Sequence, residues 1–218
     1  AEATDSNTFA LVSGGFNLAG GNGWTNLSGR TYVAWCWKES NADAGFDIVA
    51  YTGNGVSGLT VSHSLSAVPQ LILLKSQTVV DDWLMYHQAT GATVGFALNN
   101  TNAAATSTSY WNDTAPTTSV FSVGDNGKCN TDGAPNIAYC FKEVQGFSKF
   151  GSYEGNGNAD GAFVYTGFRP AFVMTKGSDV VDSWWMFDNK REGYNDDNAA
   201  LYPNLVNAES AAGFIDLL

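Results

Sequence analysis

Ala34-Trp35-Cys36-Trp37-Lys38 and Ala138-Tyr139-Cys140-Phe141-Lys142 are one stretch of chain written twice. Small, aromatic and apolar residues take matching places, and a lysine ends both copies. Outward from this stretch the correspondence continues. Thr52-Gly53-Asn54-Gly55 returns as Glu154-Gly155-Asn156-Gly157. Pro69, followed by Leu71-Ile72-Leu73 and Lys75, returns as Pro170, followed by Phe172-Val173-Met174 and Lys176. Val79-Val80-Asp81-Asp82-Trp83-Leu84-Met85-Tyr86 returns as Val180-Val181-Asp182-Ser183-Trp184-Trp185-Met186-Phe187. The copies lie 104, 102 and 101 residues apart, a drift that two short deletions produce. A period of roughly a hundred residues is too long for a solenoid repeat and suits a small β domain.

The repeat sets the domain frame. Residues 46–145 form the complete unit. Residues 1–45 resemble the C-terminal part of a unit, with Phe16–Lys38 matching Phe121–Lys142, and 146–218 resemble the N-terminal part of a second one. Residues 1–45 are therefore expected to complete 146–218 with its last strands, within the chain or between neighbours. Ala1-Glu2-Ala3 resembles Ala208-Glu209-Ser210, so the chain stops about where it began, and it starts without Met. This reads as a fragment, a processed product or part of a longer polypeptide.

Alternation with period two marks the strands. Within one unit these are Phe46–Tyr51, Thr60–Ser64, Gln70–Lys75, Trp83–His87, Val94–Leu98, Val120–Val123 and Ile137–Phe141. In the second copy they are Phe147–Tyr153, Ala162–Thr166, Ala171–Lys176 and Trp184–Phe187. Short strands divided by turn residues predict an all-β fold: tandem antiparallel β-sandwich modules, jelly-roll or concanavalin-like, of about 100 residues. Asn22-Gly23, Asn54-Gly55, Asn126-Gly127 and Asn156-Gly157 read as type I′ hairpin turns, because both residue types tolerate positive φ. Pro69 and Pro170 stand just ahead of strands, where a missing N–H costs little. A turn or two of helix is expected within 197–212. Trp83 and Trp184 read as core anchors.

Composition narrows the function. Charged residues make up 14% of the chain, well below the ~25% of ordinary soluble domains. Asn, Ser, Thr and Gly must therefore supply the polar surface. The net charge of −11 and the absence of a cationic stripe argue against nucleic acid. No apolar run is long enough for membrane insertion as a helix. Of the three cysteines, Cys36 and Cys140 hold equivalent positions in apolar runs and read as small buried hydrophobes. Cys129 lies in an Asp/Asn/Gly loop and reads as an odd, exposed thiol. No Cys-x-x-Cys zinc pair is present.

Catalytic chemistry finds few carriers. His63 and His87 are the two histidines, and no G-x-S-x-G elbow accompanies them. Asp81 and Asp82 are adjacent, so in a strand they would face opposite sides, which ill suits a glycosidase pair. Asp47 is replaced by Ser148 in the copy. No metal-ligand motif stands out. The loops 125–127, 154–161 and 188–197 read first as Asx turns, and Ca2+ is the cation their oxygens would suit. Glycan binding is the remaining small-ligand chemistry, with Trp111, Tyr110, Trp24 and Tyr202 as candidate aromatic contacts near polar turns.

Several stretches together resemble a known module. Thr31–Lys38, Phe46–Gly55, Trp111–Phe121, Gly146–Tyr153 and Phe163–Pro170 are similar to a tandem-repeat module of bacteriophage tail-fibre-like structural proteins, often found next to SPRY or concanavalin-like domains. The resemblance assigns no catalytic or binding residue. It implies a non-enzymatic virion structural protein on the particle surface, serving host attachment. Its implied partners are copies of itself, as a trimer or a head-to-tail assembly, other virion proteins, and host cell-surface glycan. The alternatives are a carbohydrate-binding module of a secreted protein and a glycan-degrading tailspike.

Overall fold

The computed structural model describes residues 9–18, 25–32, 34, 36–40, 44–158, 161–191, 199–210 and 215. Twelve strands and two single-turn helices appear among them. The strands are β1 (Phe9–Val12), β2 (Gly15–Leu18), β3 (Phe46–Thr52), β4 (Leu59–Ser62), β5 (Leu71–Ser76), β6 (Leu84–His87), β7 (Val94–Ala97) and β8 (Ala105–Thr106). They continue with β9 (Val120–Val123), β10 (Pro135–Phe141), β11 (Phe172–Thr175) and β12 (Trp185–Asp188). The helices are α1 (Thr108–Trp111) and α2 (Gly127–Asn130). All strand pairs are antiparallel and the fold is all-β, as the alternation predicts.

One six-stranded sheet, in the order β3-β10-β5-β6-β7-β8, organises residues 46–145. Its inner face turns Ile72, Leu74, Leu84, Tyr86, Ala138 and Cys140 towards a ribbon made by β4 and β9 and towards the two helices. Val61, Leu65, Phe121, Val123, Trp111 and Cys129 meet them there. No residue of β5 is exposed because both of its faces are covered: Ile72 and Leu74 lie in the main core, and Leu71 and Leu73 lie in the cluster formed with the second copy. The outer face carries Leu71, Leu73, Met85, Phe96 and Phe141, and this face is covered by the second copy. Met174, Phe150 and Trp184 lie on it. Trp184 is 4% exposed, meets Phe96 edge-on at 6.0 Å, and its Nε1–H donates to Ala97 O at 3.1 Å. Trp184 is the core anchor the sequence predicts. Its counterpart Trp83 is half-buried and stacks on Tyr139 at 6.2 Å.

The flanking pieces differ from expectation in several places. In 146–218 the described strands are β11 and β12, while 147–153 and 162–166 are not strands. β12 is the strand paired with β11 among the described residues. In 1–45, β1 and β2 form an exposed hairpin turned at Gly14 (φ +83°). Trp37 lies against Phe46 and Phe141 at 6.3 and 6.2 Å, and Ser40 bridges to Phe46. These contacts of residues 36–40 are with the central unit. The described residues of 197–212 are not helical: Ala200 bridges to Ser210, and Leu201 to Met186.

The Asn-Gly turns also resolve differently. Gly55 and Gly157 have φ of +67° and +69°, but the asparagines before them do not enter the left-handed region. Instead, Asn54 Oδ1 accepts from Val56 N and Asn156 Oδ1 from Asn158 N, so both are Asx turns. Asn126 caps α2 by accepting from Lys128 N. Asn22-Gly23 lies outside the described residues. Of the cysteines, Cys140 is buried, but Cys36 is exposed because residue 36 lies in no sheet. Cys129 is buried, since α2 turns it into the main core.

Candidate functional site

Trp111 decides the glycan reading of the aromatic residues. Ser107 caps α1, its hydroxyl accepting from Ser109 N, and the chain leaves at Asn112 in a left-handed conformation (φ 53°). That single turn rotates Trp111 inward. It is 1% exposed and meets Tyr86 edge-on at 5.6 Å. A ring with no free face cannot stack on a sugar, so Trp111 is a core residue. Tyr202 is half-buried, packs on Trp185 at 4.8 Å and shares a hydrogen bond with Ser210 Oγ at 2.7 Å. It closes the small core of the second copy around Phe187 and Ala200. Trp24 lies outside the described residues.

Tyr110 is the candidate that meets chemistry. Its half-buried ring lies against Gly95 on β7; a Cβ there would stand 2.8 Å from Tyr110 Cδ2. Tyr110 lines a cavity of about 60 Å3 together with Asp82, Asn100, Asn102, Phe96 and Lys128. That volume suits water, whereas small-molecule sites span ~300 Å3 or more. At its wall, Lys128 Nζ donates to Asp82 Oδ2 at 2.5 Å and lies 3.5 Å from Asp81 Oδ1. Asn99 and Asn100 donate to the two Asp82 oxygens at 2.8 and 3.3 Å. Residues 80–83 are not a strand, so Asp81 and Asp82 both reach one ammonium rather than facing opposite sides.

The electrostatics follow. The Lys128 hydrogen bond, with Asn99, Asn100 and the lysine charge, holds Asp82 below the usual carboxylate range against a smaller opposing effect of burial. Burial works to lower Lys128, but Asp82, Asp81 and Tyr110 outweigh it and raise that ammonium. Both groups are thus locked in their charged forms. A glycosidase acid needs the reverse shift, a carboxyl raised towards neutrality.

The other polar groups are similarly committed. Asp47, buried on β3, accepts from Ser64 N at 2.5 Å. His63 contacts Thr117 O through Nε2 and accepts from Leu65 N at Nδ1. Burial lowers its pKa, and that of His87. Burial also pushes the Cys129 and Cys140 thiols up to about 12. Asn130 is wholly buried and fully used: Nδ2 donates to Val56 O and Gly124 O, and Oδ1 accepts from Asn54 N. It ties three loops together. Among the described residues no three His, Cys, Asp or Glu side chains gather as a metal ion requires. No helix there is long and apolar enough to cross a membrane. Sequence reasoning missed Lys128, Asn99, Asn100 and Asn130, none of which carries a motif.

The whole chain, residues 1–218, matches the family described as Domain of unknown function (DUF7483). The chain belongs to this family. No curated protein and no solved structure gives a significant match.

Proposed function

We propose that this DUF7483 chain is a non-enzymatic structural module of a bacteriophage tail fibre or surface appendage, exposed on the virion and serving host attachment. One observation carries the reading: what the repeat keeps is packing. Trp184, Met174 and Phe150 join the second copy to the outer face of the first sheet, whereas polar groups change between copies. Asp47 becomes Ser148, Asp82 becomes Ser183, and His87 becomes Asp188. A catalytic array would retain its reactive groups in each unit; a scaffold retains the residues that join units. The low charge and Asn/Ser/Thr-rich surface suit subunits packed against copies of themselves or other virion proteins. The resemblance to tail-fibre repeats points the same way.

The alternatives are weaker. A secreted carbohydrate-binding module loses Trp111, its leading contact, to the core. A tailspike hydrolase finds both of its adjacent carboxylates paired with Lys128. The experiment is light-scattering mass with negative-stain imaging of the purified chain across concentrations. A discrete trimer or an extended assembly is expected. A monomer throughout, together with glycan release from a host polysaccharide panel, would overturn the reading.

A further inference from the structure

The second copy extends further than its sequence shows. Ala200 bridges to Ser210 as Gly95 pairs with Ala105, and Met186 bridges to Leu201 as Met85 pairs with Phe96. Trp184 N donates to Asn204 Oδ1 as Trp83 N does to Asn99 Oδ1. Residues 200–210 therefore stand where 95–105 stand, at an offset of 105 where the two tryptophans have 101.

The loop ahead of each tryptophan is also built twice. Lys75 Nζ donates to Val79 O and Asp81 O at 3.4 and 2.7 Å, and Lys176 Nζ donates to Gly177 O and Val180 O at 2.7 and 3.0 Å. Asp81 Oδ1 accepts from Asp82 N, and Asp182 Oδ1 accepts from Ser183 N, both at 2.7 Å. An ammonium drawn onto loop carbonyls and an aspartate turned back on the chain fix both loops in the same way.

The second copy uses its loop to join the units. Asp182 N donates to Thr101 O at 2.9 Å, Ala104 N donates to Ser178 O at 2.8 Å, and Trp184 Nε1 donates to Ala97 O at 3.1 Å. The two sides of this contact are unlike: a loop with its tryptophan on one unit, the segment 97–104 on the other. A contact between unlike surfaces is heterologous, so each unit carries one side that the join does not use.

Both unused sides are open. In the first unit the counterparts of Asp182 N, Ser178 O and Trp184 Nε1 are Asp81 N, Gln77 O and Trp83 Nε1, and none has a hydrogen-bond partner among the described residues. Val80, at the tip of that loop, is 85% exposed. In the second unit the counterparts of Thr101 O and Ala104 N are Val206 O and Glu209 N, which likewise have no partner among the described residues. Residues 205–209 are exposed throughout, Val206 completely. Tyr202 O, the counterpart of Ala97 O, accepts from Leu205 N and keeps its second lone pair.

We propose that loop 77–83 of one chain docks on segment 202–209 of a second copy, Asp81 N donating to Val206 O and Glu209 N to Gln77 O. The occupant is a second copy because the same contact already joins the two units of this chain. Each docked chain again shows one free side at either end, so chains add head to tail into an open run or a ring. The contact goes beyond the appendage reading, since it follows from the join inside the chain and holds whatever particle carries it.

Light-scattering mass of the full chain across concentrations tests it, with two charge variants at the exposed Val206. Glutamate there would stand beside the Asp81 carboxylate and repel it, whereas lysine would attract it. The wild-type mass should exceed one chain, Val206→Glu should need ~10-fold or more protein to reach the same mass, and Val206→Lys should not. A monomer throughout overturns the contact. So does an oligomer that ignores Val206→Glu, which would leave the appendage reading in place. Cysteines give a second readout. In a Cys36→Ser chain, Gln77→Cys together with Glu209→Cys should oxidise to a ladder of linked chains, because the proposed backbone hydrogen bond brings their Cα atoms within the span of a disulfide. Neither cysteine alone should link to itself. Self-linked Gln77→Cys, a link within one chain, or thiols that stay free would overturn the proposal.

Discussion

Trp184→Ala should separate the second unit from the first without unfolding the first. A tryptophan buries ~150–250 Å2, and Trp184 retains 4% exposure. At ~25 cal/mol per Å2 the burial is worth at most ~4–6 kcal/mol, an upper bound set by the extended-chain reference. Measured truncations of core tryptophans cost ~3–5 kcal/mol, the range expected here. Trp184→Phe keeps most of the ring but gives up the bond to Ala97 O, for a cost of ~1 kcal/mol. Urea unfolding followed by far-UV circular dichroism gives both numbers. Amide exchange locates them: β11 and β12 should lose protection, while β5 and β10 keep theirs. A Trp184→Ala cost below ~1 kcal/mol, or equal loss of protection in β5 and β11, would refute the claim that this side chain joins the units.

Three further outcomes are expected. Trp111→Ala should cost ~3–5 kcal/mol in thermal or urea unfolding with no change in a glycan-array profile, because the ring is core. Gly53→Ala and Gly124→Ala should each destabilise more than Gly151→Ala, since their methyls would stand 2.3 Å from Thr131 O and 2.2 Å from Ser109 O, whereas one at Gly151 meets nothing; comparison of Tm values checks this. Asp82 has a folded pKa below its unfolded one. Its pairing with Lys128 therefore stabilises above the ordinary carboxylate pKa and is lost as pH falls through the folded value. Asp82→Asn should flatten that acid limb of the stability–pH curve.

Much of the central unit is legible in the sequence because each strand there carries its own alternation. Phe46–Thr52 and Pro135–Phe141 are short, mostly apolar runs bounded by turn residues, burial alternates along the second, and they pair along their whole length. The helices are not legible, since four residues are too few to show a 3.6 period. α1 and α2 are set by Ser107 and Asn126 as caps, and these two turns carry Trp111 and Cys129 inward. Both residues look exposed in sequence because their neighbours are polar, but flanking polarity reports the flanks, not the direction of one side chain. In the second copy, 147–153 has strand-like residues and no strand. A strand is completed by its partner, and sequence repetition alone does not supply one. The candidate site was legible only at Tyr110 and the Asp81-Asp82 pair, because Lys128, Asn99 and Asn100 come to Asp82 from other parts of the chain.

The ion pair at that site offers a sharper test of scaffold against catalyst. By the repeat spacing, Asp82 and Lys128 of the first unit correspond to Ser183 and Trp24. Both charges are absent from the copy together. Removing one member of a partly buried pair strands the other, whereas exchanging both for neutral groups is often tolerated. Lys128→Trp alone leaves Asp81 and Asp82 beside each other without their shared cation. It should be the worse single change, because Asp82→Ser leaves Lys128 with Asp81. The double variant Asp82→Ser, Lys128→Trp should recover ~0.5–3 kcal/mol relative to the sum of the singles, the range of coupling for residues in contact. A double-mutant cycle in urea measures it. Additive costs would mean that the copy's Ser and Trp do not replace the pair. Loss of any activity in Asp82→Ser beyond its loss of folded protein would make the carboxylate functional and count against a scaffold.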